Sequence, residues 1–153
     1  MKPKILFILH LPPPIHGAAM MGKYIQESEL VNSSFDCFCI NLATAGSLSD
    51  IGHISLKKLL KYFFLLKHIS HVVREIRPEL VYITPNAGGK AFFKDFIVVQ
   101  MLKSMGCKVI AHYHNKGVSV YQSKWVYNFF YKRFFSNLKV ILLAENLYKD
   151  IAK

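Results

Sequence analysis

Five short apolar runs, separated by longer stretches of mixed polarity, limit what this chain can fold into more than any other feature. Residues 4–11 (KILFILHL), 35–42 (FDCFCINL), 79–84 (ELVYIT), 107–113 (CKVIAHY) and 139–144 (KVILLA) read as strands. Their near-continuous Ile, Leu and Val content suits strands buried on both faces of a parallel sheet. Helical stretches lie between them, at about 18–31, 55–76, 90–105 and 122–136. Pro78 and Gly106 stand at helix ends just before strands, as short helix-to-strand connections require. Alternation of this kind implies right-handed crossovers and predicts an α/β fold built on an open, doubly wound, mostly parallel sheet. At 153 residues the chain reads as one domain, 1–153, large enough to bury a core without staples.

Composition sets the class of partner. The chain is 52% hydrophobic and 19% charged, which excludes a disordered polymer. No uncharged apolar run approaches the roughly 20 residues of a membrane-spanning helix. Twenty Lys and Arg stand against nine Asp and Glu, a formal net charge of +11, so the surface attracts anions: nucleic acid, an anionic membrane or phosphorylated substrates. The apolar run after Met1 is short and meets three prolines rather than a cleavage site, so it reads as a first strand and not as a signal peptide. Cys37, Cys39 and Cys107 make an odd count, which fits a reducing, cytoplasmic setting, and they read as small apolar core residues.

Three strand-to-helix loops hold the candidate chemistry. The first, PPPIHGAA at 12–19, places His16, Gly17 and Ala18 at a helix start, where backbone N–H groups and the helix dipole favour phosphate; the alternative is a glycine that merely allows a tight turn. Neither the dinucleotide fingerprint nor the Walker pattern is present. The second, TPNAGGK at 84–90, offers Asn86, Gly88 and Gly89 as a flexible polar rim for hydroxyl-rich ligands, or an ordinary loop. The third, HYHNKG at 112–117, puts His112 and His114 on one side of a strand, with His114 nearer its carboxyl end, His112 packing beneath it, and Asn115 and Lys116 following. No third or fourth ligand stands at a zinc-like spacing, so no metal is expected.

Two helical stretches carry more apolar surface than one buried face absorbs. Over 55–76, Leu59, Phe63, Leu66 and Val73 are expected to line the core side. On the other side, Lys57, Lys58, Lys61 and His68 surround Phe64 and Leu65, a pattern suited to an anionic bilayer surface. Residues 124–135 carry aromatics almost all the way round, so some are expected to meet a membrane, a partner or a second domain, the alternative being a solvated basic face over a large aromatic core.

Taken together, these motifs resemble the N-terminal half of a GT-B glycosyltransferase of the family-four type. PPPIHG at 12–17 resembles that family's first strand-to-helix loop. Phe93-Lys94-Asp95, followed by MGCKVI at 105–110, resembles its basic-residue–Asp helix and the next strand. HYHNKG at 112–117 is similar to its His-x-His-Gly loop, with Asn115 where glycine is common, and ILLAE at 141–145 is similar to its strand ending in Ser-Glu, with Ala144 replacing serine. The resemblance implies a Rossmann-like domain that transfers a sugar from a nucleotide-sugar donor to a glycan or lipid-linked acceptor in cell-envelope polysaccharide synthesis. It implies that His16, Gly17 and Ala18 face the donor diphosphate and that His114 is the catalytic-site histidine near the reacting carbon. Asn86, Gly88, Gly89, Asn115 and Lys116 then lie toward the acceptor. It implies no cofactor beyond the donor itself. The sequence stops soon after the fifth strand, so the C-terminal nucleotide-sugar domain is expected from a separate partner or a missing segment, and this half alone is expected to be silent. The implied setting is cytoplasmic, peripheral on the inner face of the membrane.

Two other classes compete. A non-catalytic basic module binding nucleic acid or an anionic membrane surface accounts for the charge and the aromatics, but no recognition-helix or RNP-like pattern is present. A small α/β enzyme of another kind lacks the G-x-S-x-G elbow and an acidic pair at strand ends.

Overall fold

The computed structural model describes residues 2–13, 15–42 and 56–151. Five strands, β1 (Lys4–Leu9), β2 (Asp36–Asn41), β3 (Leu80–Ile83), β4 (Val109–Tyr113) and β5 (Lys139–Leu142), form one parallel sheet in the order β2-β1-β3-β4-β5. Helices α1 (Gly17–Glu27), α2 (Glu29–Ser34), α3 (Leu56–Ile76), α4 (Gly89–Ser104), α5 (Val118–Gln122), α6 (Trp125–Phe135) and α7 (Tyr148–Ile151) fill the connections, with a 3-10 turn at Glu145–Leu147. This is the α/β, Rossmann-like, doubly wound architecture that the alternation of apolar runs predicts. Among the described residues no helix is long and apolar enough to cross a membrane.

The chain divides into two compact units, Met1–Tyr82 and Ile83–Lys153, and the division falls within β3. In the first, β1 pairs in parallel with β2 from Lys4 opposite Asp36 to Leu9 opposite Asn41. β1 is a central strand and buries every residue from Ile5 to Leu9. Ile5, Phe7 and Leu9 pack against Ile25, Val31, Phe35 and Tyr82, the last with its ring 5.4 Å from that of Phe7. Edge strand β2 buries only Ile40, so the expectation that Cys37 and Cys39 are core residues is corrected: Cys39 is exposed and Cys37 half-buried. Cys107 is half-buried too. A strand with one free side cannot cover both faces.

Two helical boundaries also differ from the sequence pattern. The stretch expected as one helix over 18–31 breaks at Ser28, whose extended backbone starts α2 and whose hydroxyl accepts from Val31 N–H at 3.4 Å. The stretch expected over 122–136 splits into α5 and α6 around Ser123 and Lys124. Residue 55, expected in α3, lies outside the described residues.

The second unit has an aromatic core between α4 and α6. Phe92 is fully buried, with its ring 4.5 Å from Tyr131 and 5.5 Å from both Phe93 and Phe134. Gly106 ends α4 in a left-handed conformation (φ 78°), with its N–H on the Lys103 carbonyl and Cys107 N–H on the Leu102 carbonyl. That closure leaves the last carbonyls of the helix bonded, as the sequence position of Gly106 implies. Lys103 of α4 donates to the carbonyls of Arg133, Phe134 and Ser136, so an ammonium serves the carboxyl end of α6. On α6, Tyr131 and Phe134 are buried, whereas Trp125 and Phe129 are exposed.

Candidate functional site

In the second unit, the loops that follow β3 and β4 are locked together through backbone and side-chain hydrogen bonds. Asn86 directs both its N–H and its side-chain amide to Oδ2 of Asp95, each at 2.8 Å. Ala87 N–H donates to Oδ1 of Asn115 at 3.2 Å, and the Ala87 carbonyl accepts from the buried Tyr131 hydroxyl. Thr84, Pro85 and Ala87 are buried. At the centre of the rim expected as flexible at 84–90, the N–H groups of Asn86 and Ala87 and the Ala87 carbonyl each meet a side chain from α4, the β4 loop or α6.

Two glycines of this rim have separate physical reasons. Added to Gly88, a Cβ would sit 2.2 Å from the Tyr121 ring, so this position allows the ring to lie on the backbone. Gly89 opens α4 with φ 67°, which an L side chain adopts at a cost. Neither observation requires a ligand.

The β4 loop is held from the far end of the chain. Asp150 of α7 accepts Gly117 N–H at 2.8 Å and Val118 N–H at 3.0 Å on Oδ2, and Ser119 N–H at 3.2 Å with the Ser119 hydroxyl on Oδ1. It caps α5 across about thirty residues of sequence. Burial pushes its carboxyl up, but the Ser119 hydroxyl and the three N–H groups outweigh this and hold it below the usual range.

His114 stands between these two supports, at the carboxyl end of β4. As expected from the strand alternation, it shares a side with His112, and the two rings lie 4.2 Å apart. Neither ring nitrogen of His114 reaches solvent or has a hydrogen-bond partner among the described residues. Burial first, and then the neighbouring His112, lower its pKa to about 4. At neutral pH it is an uncharged imidazole with one donor and one acceptor unused. Lys116 and Asn115, which follow, are exposed, although Oδ1 of Asn115 is engaged by Ala87.

In the first unit, the phosphate-binding expectation falls on the start of α1. The His16 ring caps this helix, its Nδ1 accepting Ala19 N–H at 3.3 Å, and it meets the His10 ring edge-on at 6.0 Å. Among the described residues, nothing beyond its own chain neighbours and helix backbone comes within 4 Å of where a side chain at Gly17 would begin; Ala18 is half-buried in the first turn of α1. Deeper in α1 the close approach is at Gly22, where a Cβ would meet the His10 carbonyl oxygen.

Residue chemistry alone did not single out Asp95, Tyr131 or Asp150. Asp95 looked like one of a few scattered acids, and Asp150 lay in a terminal stretch with no visible partner. Asp95 is now the most perturbed carboxyl described: burial raises its pKa to about 6 against the pull of Asn86 and Lys94. Because the folded pKa exceeds the unfolded value near 3.8, the folded state binds the extra proton between about pH 4 and 6. The stabilising contribution of Asp95 is thus complete below pH 4 and is lost as pH rises through 6. Asp95→Asn should remove that slope. Urea denaturation at pH 4 and pH 7 should find the variant gaining up to about 3 kcal/mol on the wild type between those values. An unchanged difference would show that folding does not raise the carboxyl's pKa.

Among the described residues no group of three His, Cys, Asp or Glu side chains is placed to hold a metal ion. Compared with protein-family models, with curated proteins and with solved structures, the chain matches none.

Proposed function

We propose that the chain is the acceptor-side domain of a nucleotide-sugar-dependent glycosyltransferase of the GT-B, family-four type. In this reading the bond between the sugar's anomeric carbon and the donor's diphosphate breaks, the acceptor hydroxyl oxygen bonds to that carbon, and the nucleoside diphosphate leaves, taking up the hydroxyl's proton. The acceptor is a glycan or a lipid-linked saccharide, and a nucleotide-sugar-binding domain acts with this one. The observation that carries the reading is His114, whose two buried ring nitrogens have no hydrogen-bond partner among the described residues, at the carboxyl end of a parallel strand, where α/β sheets bind ligands. Sugar hydroxyls both donate and accept, which matches a neutral imidazole. Lys116, exposed beside it, suits an acceptor that carries a phosphate.

Histidine-labelled protein titrated with nucleotide sugars, free oligosaccharides and a detergent-solubilised lipid-linked saccharide tests this, read from the imidazole resonances. A saccharide ligand should shift the His114 signals, and His114→Ala should weaken its binding about tenfold, the loss of one buried hydrogen bond to an uncharged partner. Silence toward every saccharide, or binding indifferent to His114→Ala, overturns the reading. Binding of single-stranded nucleic acid that collapses with added salt would replace it by the basic-module alternative.

A further inference from the structure

We propose that the amino-terminal half of α3 is a docking surface for an anionic lipid bilayer. The inference stands on the first unit alone and does not depend on glycosyl transfer. It starts from a correction. The core side of α3 is Tyr62, Ile69 and Val73, whereas Leu59 and Phe63, expected inside, face outward. Leu66 and Leu65 are both half-buried at the margins. The first three turns are apolar almost all round, so the sequence pattern had no unique phase.

The outward side is a second apolar stripe. Leu56, Leu59, Leu60, Phe63 and Phe64 are between 51% and 73% exposed. At about 100° per residue these five span about 140° of the helix surface. Lys57 and Lys61 border that arc, and Lys67 rises within it, its Nζ 5.8 Å from the Phe63 ring centroid. Lys58 is half-buried and belongs to the margin. The surface therefore keeps Lys57, Lys61 and Phe64 from the sequence expectation and replaces Lys58 and Leu65 by the residues just named.

Charge selects the occupant. The single acidic residue of α3 is Glu75, near its carboxyl end and close to His71, so α3 itself sets no carboxylate among the lysines that border the apolar stripe. A second copy of this surface would set lysine against lysine. Anionic headgroups attract those lysines, while the acyl boundary accepts the Leu and Phe side chains. α3 is not apolar enough to cross, so it lies in the plane of the interface.

Co-sedimentation of the full chain with vesicles of phosphatidylcholine, alone or with an equal share of phosphatidylglycerol, tests this. Binding should require phosphatidylglycerol and fall at least tenfold in both Phe63→Ser/Phe64→Ser and Lys57→Glu/Lys61→Glu. All four positions are exposed, and circular dichroism checks that the variants fold. Trp125→Ser/Phe129→Ser on α6 should bind like the wild type. Failure to bind anionic vesicles overturns the proposal. So does binding that survives loss of both phenylalanines, because that is adsorption by net charge alone. A wild-type dimer that ignores vesicles and becomes monomeric in Phe63→Ser/Phe64→Ser would overturn it in favour of a self-association surface.

Discussion

Phe92→Ala is expected to cost about 4 kcal/mol, enough to lower the melting temperature by roughly 8–16 °C in a chain of this length. Phe92 is fully buried, and five aromatic rings lie within 6.2 Å of its own: Phe93, Phe96, Tyr127, Tyr131 and Phe134. Truncation removes the transfer energy of the ring and leaves a cavity that these stiff neighbours fill poorly. Because Tyr131 also donates to the Ala87 carbonyl, the loss should spread to the rim that follows β3. The control is Trp125→Ala. At 82% exposed, Trp125 should change stability by less than about 0.5 kcal/mol despite being the larger side chain. Chemical denaturation of the three proteins decides it, and equal losses for the two variants would place the core elsewhere.

Asp150→Ala should be the most damaging polar substitution, at about 3 kcal/mol. It removes a carboxylate and strands the N–H groups of Gly117, Val118 and Ser119 at the start of α5. The damage should be local before it is global. Amide exchange at those three positions should accelerate more than in the β4 strand itself. Asp150→Asn keeps one acceptor oxygen but turns an N–H₂ toward the remaining donors, so it should recover only part of the loss. The pH dependence has the opposite sign to that of Asp95. The folded pKa lies below the usual value, so the contribution of Asp150 is present above about pH 4 and disappears as pH falls through the depressed value. A wild type as resistant to acid as Asp150→Ala would sink this account.

The two aspartates show where sequence reading stops. Asp95 and Asp150 are each one acid in a helical stretch, and nothing nearby in sequence says that one will hold Asn86 and the other Gly117 to Ser119. Those partners lie 9 to 33 positions away, on other loops and elements. The same limit explains α3. Where a helix is apolar on one side, periodicity fixes which side is buried; where it is apolar on two, the choice belongs to whatever packs against it. Here Tyr62, Ile69 and Val73 were chosen, and Leu59 and Phe63 were left out.

What the sequence determined by itself is the chain of strands, the parallel α/β class and the siting of His114 at a strand's carboxyl end. These follow from near-neighbour rules: runs of branched apolar residues, a period of two along strands, and glycine or proline at helix ends. Only the tertiary structure decided that β2 and β5 are edges, that the rim at 84–89 is hydrogen-bonded at its centre, and that the His114 ring nitrogens have no hydrogen-bond partner among the described residues. Each of those depends on long-range partners, and burial, hydrogen bonding and pKa are set by the surroundings a residue finally has rather than by its neighbours in sequence.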